Sequence, residues 1–171
     1  MIRVVLVDDH AMIRRGLRET LAECGDIQVV GEAGDYASLR SLLREKAVDV
    51  LVLDLNLPGR SGIDVLKALA GDEEATRVVV LSQYPEDQYA IRALRNGAMA
   101  YLNKTTEPGE IVAAVRTVAS GRKHLTPEVA QLLLDTVTGS GGGARHEQLS
   151  DRELQTLLLI ASGRRLSEIA E

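Results

Sequence analysis

The chain is predicted to be an α/β protein with a doubly wound parallel sheet, and three observations carry that expectation. Five short aliphatic runs alternate with five amphipathic helical patterns. The runs are dense in Val, Leu and Ile with little polar alternation, as strands buried on both faces are. Acidic residues stand where two of the runs end: Asp8-Asp9 after the first and Asp54 at the close of the third. Strands joined by right-handed helical crossovers share one carboxyl edge, and ligands bind beyond that edge where the strand order reverses.

Each element follows from local signals. The first strand, 2–7, reads Ile-Arg-Val-Val-Leu-Val and leads to a helical pattern over 12–24, with Cys24 at its end as a structural residue. A second strand is expected over 28–33, and Asp35 caps a helix over 36–46. The third strand, 50–54, precedes a helix over 62–70, and the fourth, 78–82, precedes a helix over 87–96 that Gly97 stops. The fifth strand, 100–103, is followed by a helix over 107–121. Thr126 then caps a further helix with Pro127 at its first position, ending near residue 137. Residues 138–143, Thr-Gly-Ser-Gly-Gly-Gly, have the composition of a flexible linker. Ser150-Asp151-Arg152-Glu153 is a capping box for a helix over 151–162; Gly163 breaks it, and another helical pattern starts at Leu166.

Composition narrows the class. Hydrophobic residues make up 45% of 171, with no Phe or Trp, so the core is built from Leu, Val, Ile and Ala. A net charge of −5 argues against a whole-protein electrostatic grip on nucleic acid. One cysteine allows no internal disulfide and fits a reducing compartment. No signal peptide precedes the first strand and no apolar run is long enough to span a membrane, so a soluble, cytoplasmic protein is expected.

The chemistry gathers at the predicted carboxyl edge. Asp8 and Asp9 follow the first strand, Asp54 ends the third, Ser82 ends the fourth, and Lys104 follows the fifth. Two carboxylates about 4 Å apart repel by roughly 4 kcal/mol at an effective dielectric near 20, so such a cluster calls for a cation. Asp9 and Asp54, with the Asn56 backbone carbonyl and Asp8 through a water, suit a hard divalent ion, Mg²⁺. Three acids, a hydroxyl and an ammonium make a phosphoryl-transfer constellation with an aspartate nucleophile. His10 is read as facing solvent and not as a ligand; Asp49, Asp64 and Asp72 are read as caps or surface charge.

These residues resemble the receivers of bacterial two-component response regulators, and more narrowly the NarL/FixJ type. The motifs are Asp8-Asp9, Asp54 with Asn56-Leu57-Pro58 and Gly62, Ser82, and Tyr101 three residues before Lys104. The resemblance covers 1–121 as a complete receiver. It implies a flavodoxin-like sheet of strand order 2-1-3-4-5, Asp54 as phosphoacceptor from a sensor histidine kinase, and Ser82 and Tyr101 as a switch pair. Ala11 and Thr105 stand where relatives often carry Pro, and Thr105 is expected to soften the loop that holds Lys104. Asn56 and Tyr84, two residues after Asp54 and Ser82, are expected to tune water access.

Residues 122–148 read as a helical and Gly-rich linker, and 149–171 resemble the opening of a LuxR-type helix-turn-helix domain. Its motifs are Leu149-Ser150-Asp151-Arg152-Glu153-Leu154, Ile160-Ala161-Ser162-Gly163 and Glu168-Ile169-Ala170. The recognition helix, which reads the major groove, would fall after Glu171. From residue 145 onward four Arg face five acids, so no specific DNA binding is expected of this stretch by itself.

The resemblance implies a sequence of events. Asp54 attacks a phosphohistidine, Ser82 moves to the new oxygens, and Tyr101 turns inward into the vacated space. Dimerisation follows, through the fourth helix, fifth strand and fifth helix or through the first and fifth helices, and the C-terminal segment is released to act on promoter DNA. Enzymatic activity beyond self-phosphorylation and self-dephosphorylation is not expected. A receiver-only signalling module acting through protein contacts is the alternative. A phosphohydrolase using an aspartyl phosphate is disfavoured by Asn56, where such enzymes usually carry a second acid. A nucleotide-binding fold is disfavoured because Asp8-Asp9-His10 replaces a glycine-rich turn.

Overall fold

The aliphatic runs become strands of one parallel sheet in the computed structural model, which describes residues 1–70 and 76–138. In chain order, β1 (Ile2–Val7), β2 (Ile27–Ala33) and β3 (Val50–Leu53) are followed by a two-stranded hairpin, β4 (Asn56–Leu57) and β5 (Arg60–Ser61). Then come β6 (Arg77–Ser82) and β7 (Ala98–Asn103). The helices are α1 (Ala11–Ala22), α2 (Tyr36–Glu45), α3 (Gly62–Ala70), α4 (Glu86–Arg95), α5 (Pro108–Ala119) and α6 (Pro127–Thr138). The five-stranded sheet runs β2-β1-β3-β6-β7, the flavodoxin-like order expected, with every pair parallel.

The pleat divides the core in two. Val5, Val7, Leu51, Leu53 and Val80 face α2, α3 and α4, while Val4, Leu6, Val52, Val79 and Leu81 face α1 and α5. Burying an aliphatic side chain of this kind contributes about 1.5–3 kcal/mol, so these central strands anchor the fold. Asp35 caps α2 by accepting from Ser38 N at 2.8 Å, and Gly97, at φ 102°, ends α4; both match expectation. Cys24 lies half-buried beside the α1/α5 face, as a structural residue does.

Several boundaries move. β2 starts at Ile27, β6 at Arg77 and β7 at Ala98, because ladder pairing begins one or two residues earlier: Ile27 pairs with Ile2, Arg77 with Val50 and Ala98 with Val78. β3 ends at Leu53, which leaves Asp54 just beyond the strand. The β4–β5 hairpin is absent from the sequence reading; Pro58 and Gly59, the latter at φ 72°, make its two-residue turn. Gly62 closes the return, donating to Leu55 O at 2.9 Å, and a Cβ there would lie 2.4 Å from Leu55 Cα.

Asp49 is not mere surface charge. Arg3 donates to its two oxygens at 2.9 and 2.7 Å through Nε and Nη2, and the Arg3 amide adds a third bond at 2.8 Å. This fork ties the start of β1 to the entry of β3 and holds the Asp49 carboxyl down at about 2. Asp64 sits in the first turn of α3, as a helix-start acid should.

Asp72, the Gly-rich linker from residue 139 and the helix-turn-helix motifs lie outside the described residues. Among the described residues no helix is long and apolar enough to cross a membrane.

Candidate phosphoacceptor and metal site

Backbone pairing brings the acids together before any side chain is considered. Asp8 N donates to Ala33 O at 3.1 Å and Asp54 N to Val7 O at 2.8 Å, extending the β2/β1/β3 ladder by one step on each strand. Asp8 and Asp54 therefore leave the sheet side by side at its carboxyl edge. Both are almost wholly buried, at 3% and 2% exposure, whereas Asp9 projects outward at the rim.

Lys104 enters from the far side of the switch point. Its backbone N donates to Ser82 O at 2.9 Å, which carries the β6/β7 ladder past Asn103. Its ammonium lies 2.7 Å from Asp54 Oδ2 and 2.7 Å from Asp8 Oδ2. In the loop behind it, Asn103 Oδ1 accepts from Thr105 N at 2.9 Å and from Thr105 Oγ1 at 2.8 Å.

The other Asp54 oxygen, Oδ1, accepts from Asn56 N at 3.1 Å. Burial pushes the Asp54 carboxyl above its ordinary range, and the Lys104 ammonium pulls against that rise. Burial works to lower Lys104, but hydrogen bonds to Asp54 and Asp8 outweigh it and hold the ammonium above its ordinary value. At neutral pH the lysine is charged and faces two acids.

His10 lies beside the acids with its ring open to solvent. Its ring remains half exposed, yet Nδ1 lies 2.7 Å from Asp9 Oδ1 and 3.1 Å from Asp8 Oδ1. Asp8, Asp9, His10 and Asp54 each offer one ligand atom, all within 4.8 Å of one another. That spread suits a single divalent ion with oxygen-rich coordination. Arg14 also escaped the sequence reading: it donates to the Asp8 carbonyl and to Glu32 Oε2 at 3.3 Å, bracing the loop between β1 and α1. Its spacing of four from His10 on an exposed helical face was the only available signal.

Ser82 and Tyr101 lie deeper. Ser82 is fully buried, and its Oγ accepts from Tyr84 N at 3.2 Å. Tyr101 is also fully buried, its hydroxyl donating to Tyr84 O at 3.0 Å. Burial pushes the Tyr101 hydroxyl strongly up, with Ser82 beside it acting the other way. The ring is thus inward in this structure. Its hydroxyl has a buried carbonyl to bond, so the inward rotamer leaves no polar atom stranded. Tyr84 in turn stacks on Tyr89 of α4, ring centroids 4.7 Å apart.

Comparison with known proteins agrees with this arrangement. The response regulator receiver domain model matches residues 4–116. Over its full length the chain is 34% identical to the response regulator UvrY of Escherichia coli (strain K12), covering 79% of that protein. It is 38% identical to the transcriptional regulatory protein LiaR of Bacillus subtilis (strain 168), covering 82%. A crystal structure of a LuxR-family two-component response regulator from Aurantimonas sp. SI85-9A1 superposes with a TM-score of 0.73 at 32% identity, covering 80% of this chain and 97% of that one. A structure of two RcsB dimers bound to two parallel DNAs gives 0.72 at 26% identity, covering 99% and 81%. Fold and site together define a receiver of two-component signalling. The chain belongs to the response regulator family, and within it to the NarL/FixJ type.

Proposed function

We propose that Asp54 accepts a phosphoryl group from the phosphohistidine of a sensor histidine kinase, with Mg²⁺ as the divalent ion. The phosphorylated chain then pairs with a second copy and regulates transcription through the helix-turn-helix region expected from residue 149. The observation that carries this reading is the Lys104 ammonium set between Asp8 and Asp54 at 2.7 Å from each, with Asp9 at the rim.

Asp8, Asp9 and Asp54, with the Asn56 carbonyl, would hold the ion, and His10 Nδ1 stands against two of those acids. When bound, the divalent ion neutralises the acids and polarises phosphoryl oxygens. An Asp54 carboxylate oxygen attacks phosphorus; the new O–P bond forms as the P–N bond breaks, and the electron pair departs with the kinase imidazole. Lys104 is placed to transfer a hydrogen bond from the carboxylate to a phosphoryl oxygen, stabilising charge as it develops. The burial that raises Asp54 also keeps bulk water from the site. The product carries about −1.5 to −2 charges near neutral pH, if it resembles other phosphorylated side chains. Ser82, at the adjacent strand end, turns its hydroxyl towards those oxygens, releasing Tyr84 N.

Catalysis by the chain is confined to gaining and losing this group, in the cytoplasm. The RcsB dimers on DNA support dimerisation and DNA contact as the output. Incubation with Mg²⁺ and a small phosphodonor, followed by intact mass measurement, tests the reading. One phosphoryl adduct is expected on the wild type and none on Asp54→Asn; an equally stable adduct on Asp54→Asn overturns it.

A further inference from the structure

We propose that His10 is a metal ligand as well as a neighbour of the acids: through Nδ1 it makes the rim of the site prefer a first-row transition ion of the Co²⁺, Ni²⁺ and Zn²⁺ class over Mg²⁺. The proposal rests on the divalent-ion reading above and names which ions that site selects.

His10 faces the acids instead of serving its own helix. It is the N-cap of α1, yet its side chain makes no capping hydrogen bond, and no acid stands in the first turn. An N-cap side chain ordinarily accepts from an amide of that turn. Here the His10 amide donates to Asp8 Oδ1 at 2.8 Å, which closes a short loop and sets the ring against the carboxylates. Nδ1 then lies 2.7 Å from Asp9 Oδ1 and 3.1 Å from Asp8 Oδ1.

Those separations are the ones adjacent ligands take. Zn–N and Mg–O bonds are both about 2.1 Å, which places neighbouring donors of one six-coordinate ion about 3 Å apart. A proton on Nδ1 points along one line and bonds one oxygen well. An ion satisfies the nitrogen and both oxygens together. Lys104 leaves that role open, because its ammonium engages Asp8 Oδ2 and Asp54 Oδ2, while Asp8 Oδ1 is the oxygen beside His10. Asp54 completes the set, with one ligand atom from each of the four residues within 4.8 Å of the others. The His10 ring is half exposed, so an ion reaches Nδ1 directly from solvent.

Ligand chemistry sets the preference. Carboxylate, carbonyl and water oxygens suit Mg²⁺, imidazole nitrogen suits Zn²⁺ and Ni²⁺, and Co²⁺ stands just before Ni²⁺ in the order of rising affinity. An all-oxygen site follows the same order among transition ions. The mark of His10 is therefore the change in preference when its nitrogen is removed, not the preference alone.

Co²⁺ serves as the probe on the full chain, compared with Mg²⁺ in wild type and in His10→Phe, which keeps a planar ring at an exposed position but offers no donor. Calorimetric titration gives both dissociation constants for both proteins, and the two ions should displace one another in the wild type. His10→Phe should weaken Co²⁺ by at least about tenfold, a cost that even partners one step removed from a metal carry, and should weaken Mg²⁺ much less. Proton NMR of the Co²⁺-loaded wild type should show strongly shifted imidazole resonances that are lost in His10→Phe. Equal losses for the two ions, an unchanged Co²⁺ affinity, or the same shifted resonances in both proteins would overturn the proposal. Wild type that binds Mg²⁺ but shows no shifted imidazole resonance with Co²⁺ removes the role of His10 alone. Wild type that binds neither ion removes the divalent-ion reading itself, and the selectivity falls with it.

Discussion

The Lys104 ammonium donates to Asp54 Oδ2 at 2.7 Å across a sequence separation of 50 residues. Only the parallel order of β3, β6 and β7 makes that contact possible, since it sets the ends of three strands along one edge. The same ammonium serves Asp8, so a single cation is shared between two buried acids.

Lys104→Ala removes that balance. Deleting one partner of a buried ion pair costs about 3–5 kcal/mol, chiefly through the charge left behind. The variant is therefore expected to unfold at lower denaturant without a divalent ion and to be rescued by Mg²⁺ more strongly than the wild type. Urea titrations with and without Mg²⁺ measure both. Equal stability of the two proteins in chelator would show that the acids do not depend on the lysine.

Ser82→Ala deletes the acceptor for the buried Tyr84 amide. Losing that hydrogen bond costs about 0.5–1.5 kcal/mol. The variant should still gain a phosphoryl group on Asp54 but form dimers poorly, which sedimentation of the phosphodonor-treated protein reads. Dimerisation equal to wild type would remove Ser82 from the switch.

Gly62→Ala tests the turn that follows the acceptor. The added Cβ would stand 2.4 Å from Leu55 Cα and 2.8 Å from Asp54 O, both backbone atoms that cannot rotate away. Overpacking of this kind costs about 1–3 kcal/mol, and here it acts on the residue next to Asp54. A lower thermal midpoint together with slower phosphoryl uptake is expected; an unchanged midpoint would contradict the close approach.

Most of the fold was legible because strands such as Val50-Leu51-Val52-Leu53 are buried on both faces and carry no competing pattern. The site was legible because its acids, serine and lysine each sit at the end of such a strand. What escaped was short or conformational. β4 and β5 have two residues each, too few for any periodicity, and only Pro58-Gly59 hinted at their turn. His10 was read from its exposed position in sequence, which does not reveal that its ring folds back onto Asp8 and Asp9. The inward Tyr101 depends on the Tyr84 carbonyl 17 residues away, a contact that no local pattern encodes.

Asp49→Asn probes the fold away from the site. Hydrogen bonds from Arg3 hold the Asp49 carboxyl at about 2. Its stabilisation is therefore complete above the unfolded carboxylate value, about 3.9, and is lost as pH falls through the folded value. Both side chains are partly exposed, and solvent screening reduces the contribution to about 1 kcal/mol. Denaturant midpoints of wild type and variant should differ at pH 7 and converge as pH drops from 4 towards 2. A gap that widens over that range would reverse the assigned sign.

Chemical trapping at the acceptor tests the central claim most directly. An acyl phosphate on an aspartate is reduced by borohydride to homoserine, which marks the residue that carried it. After treatment with Mg²⁺ and a small phosphodonor, peptide sequencing is expected to find homoserine at position 54 and at no other aspartate. Homoserine at Asp8 or Asp9 instead, or at no position in a protein that has taken up phosphate, would contradict the account.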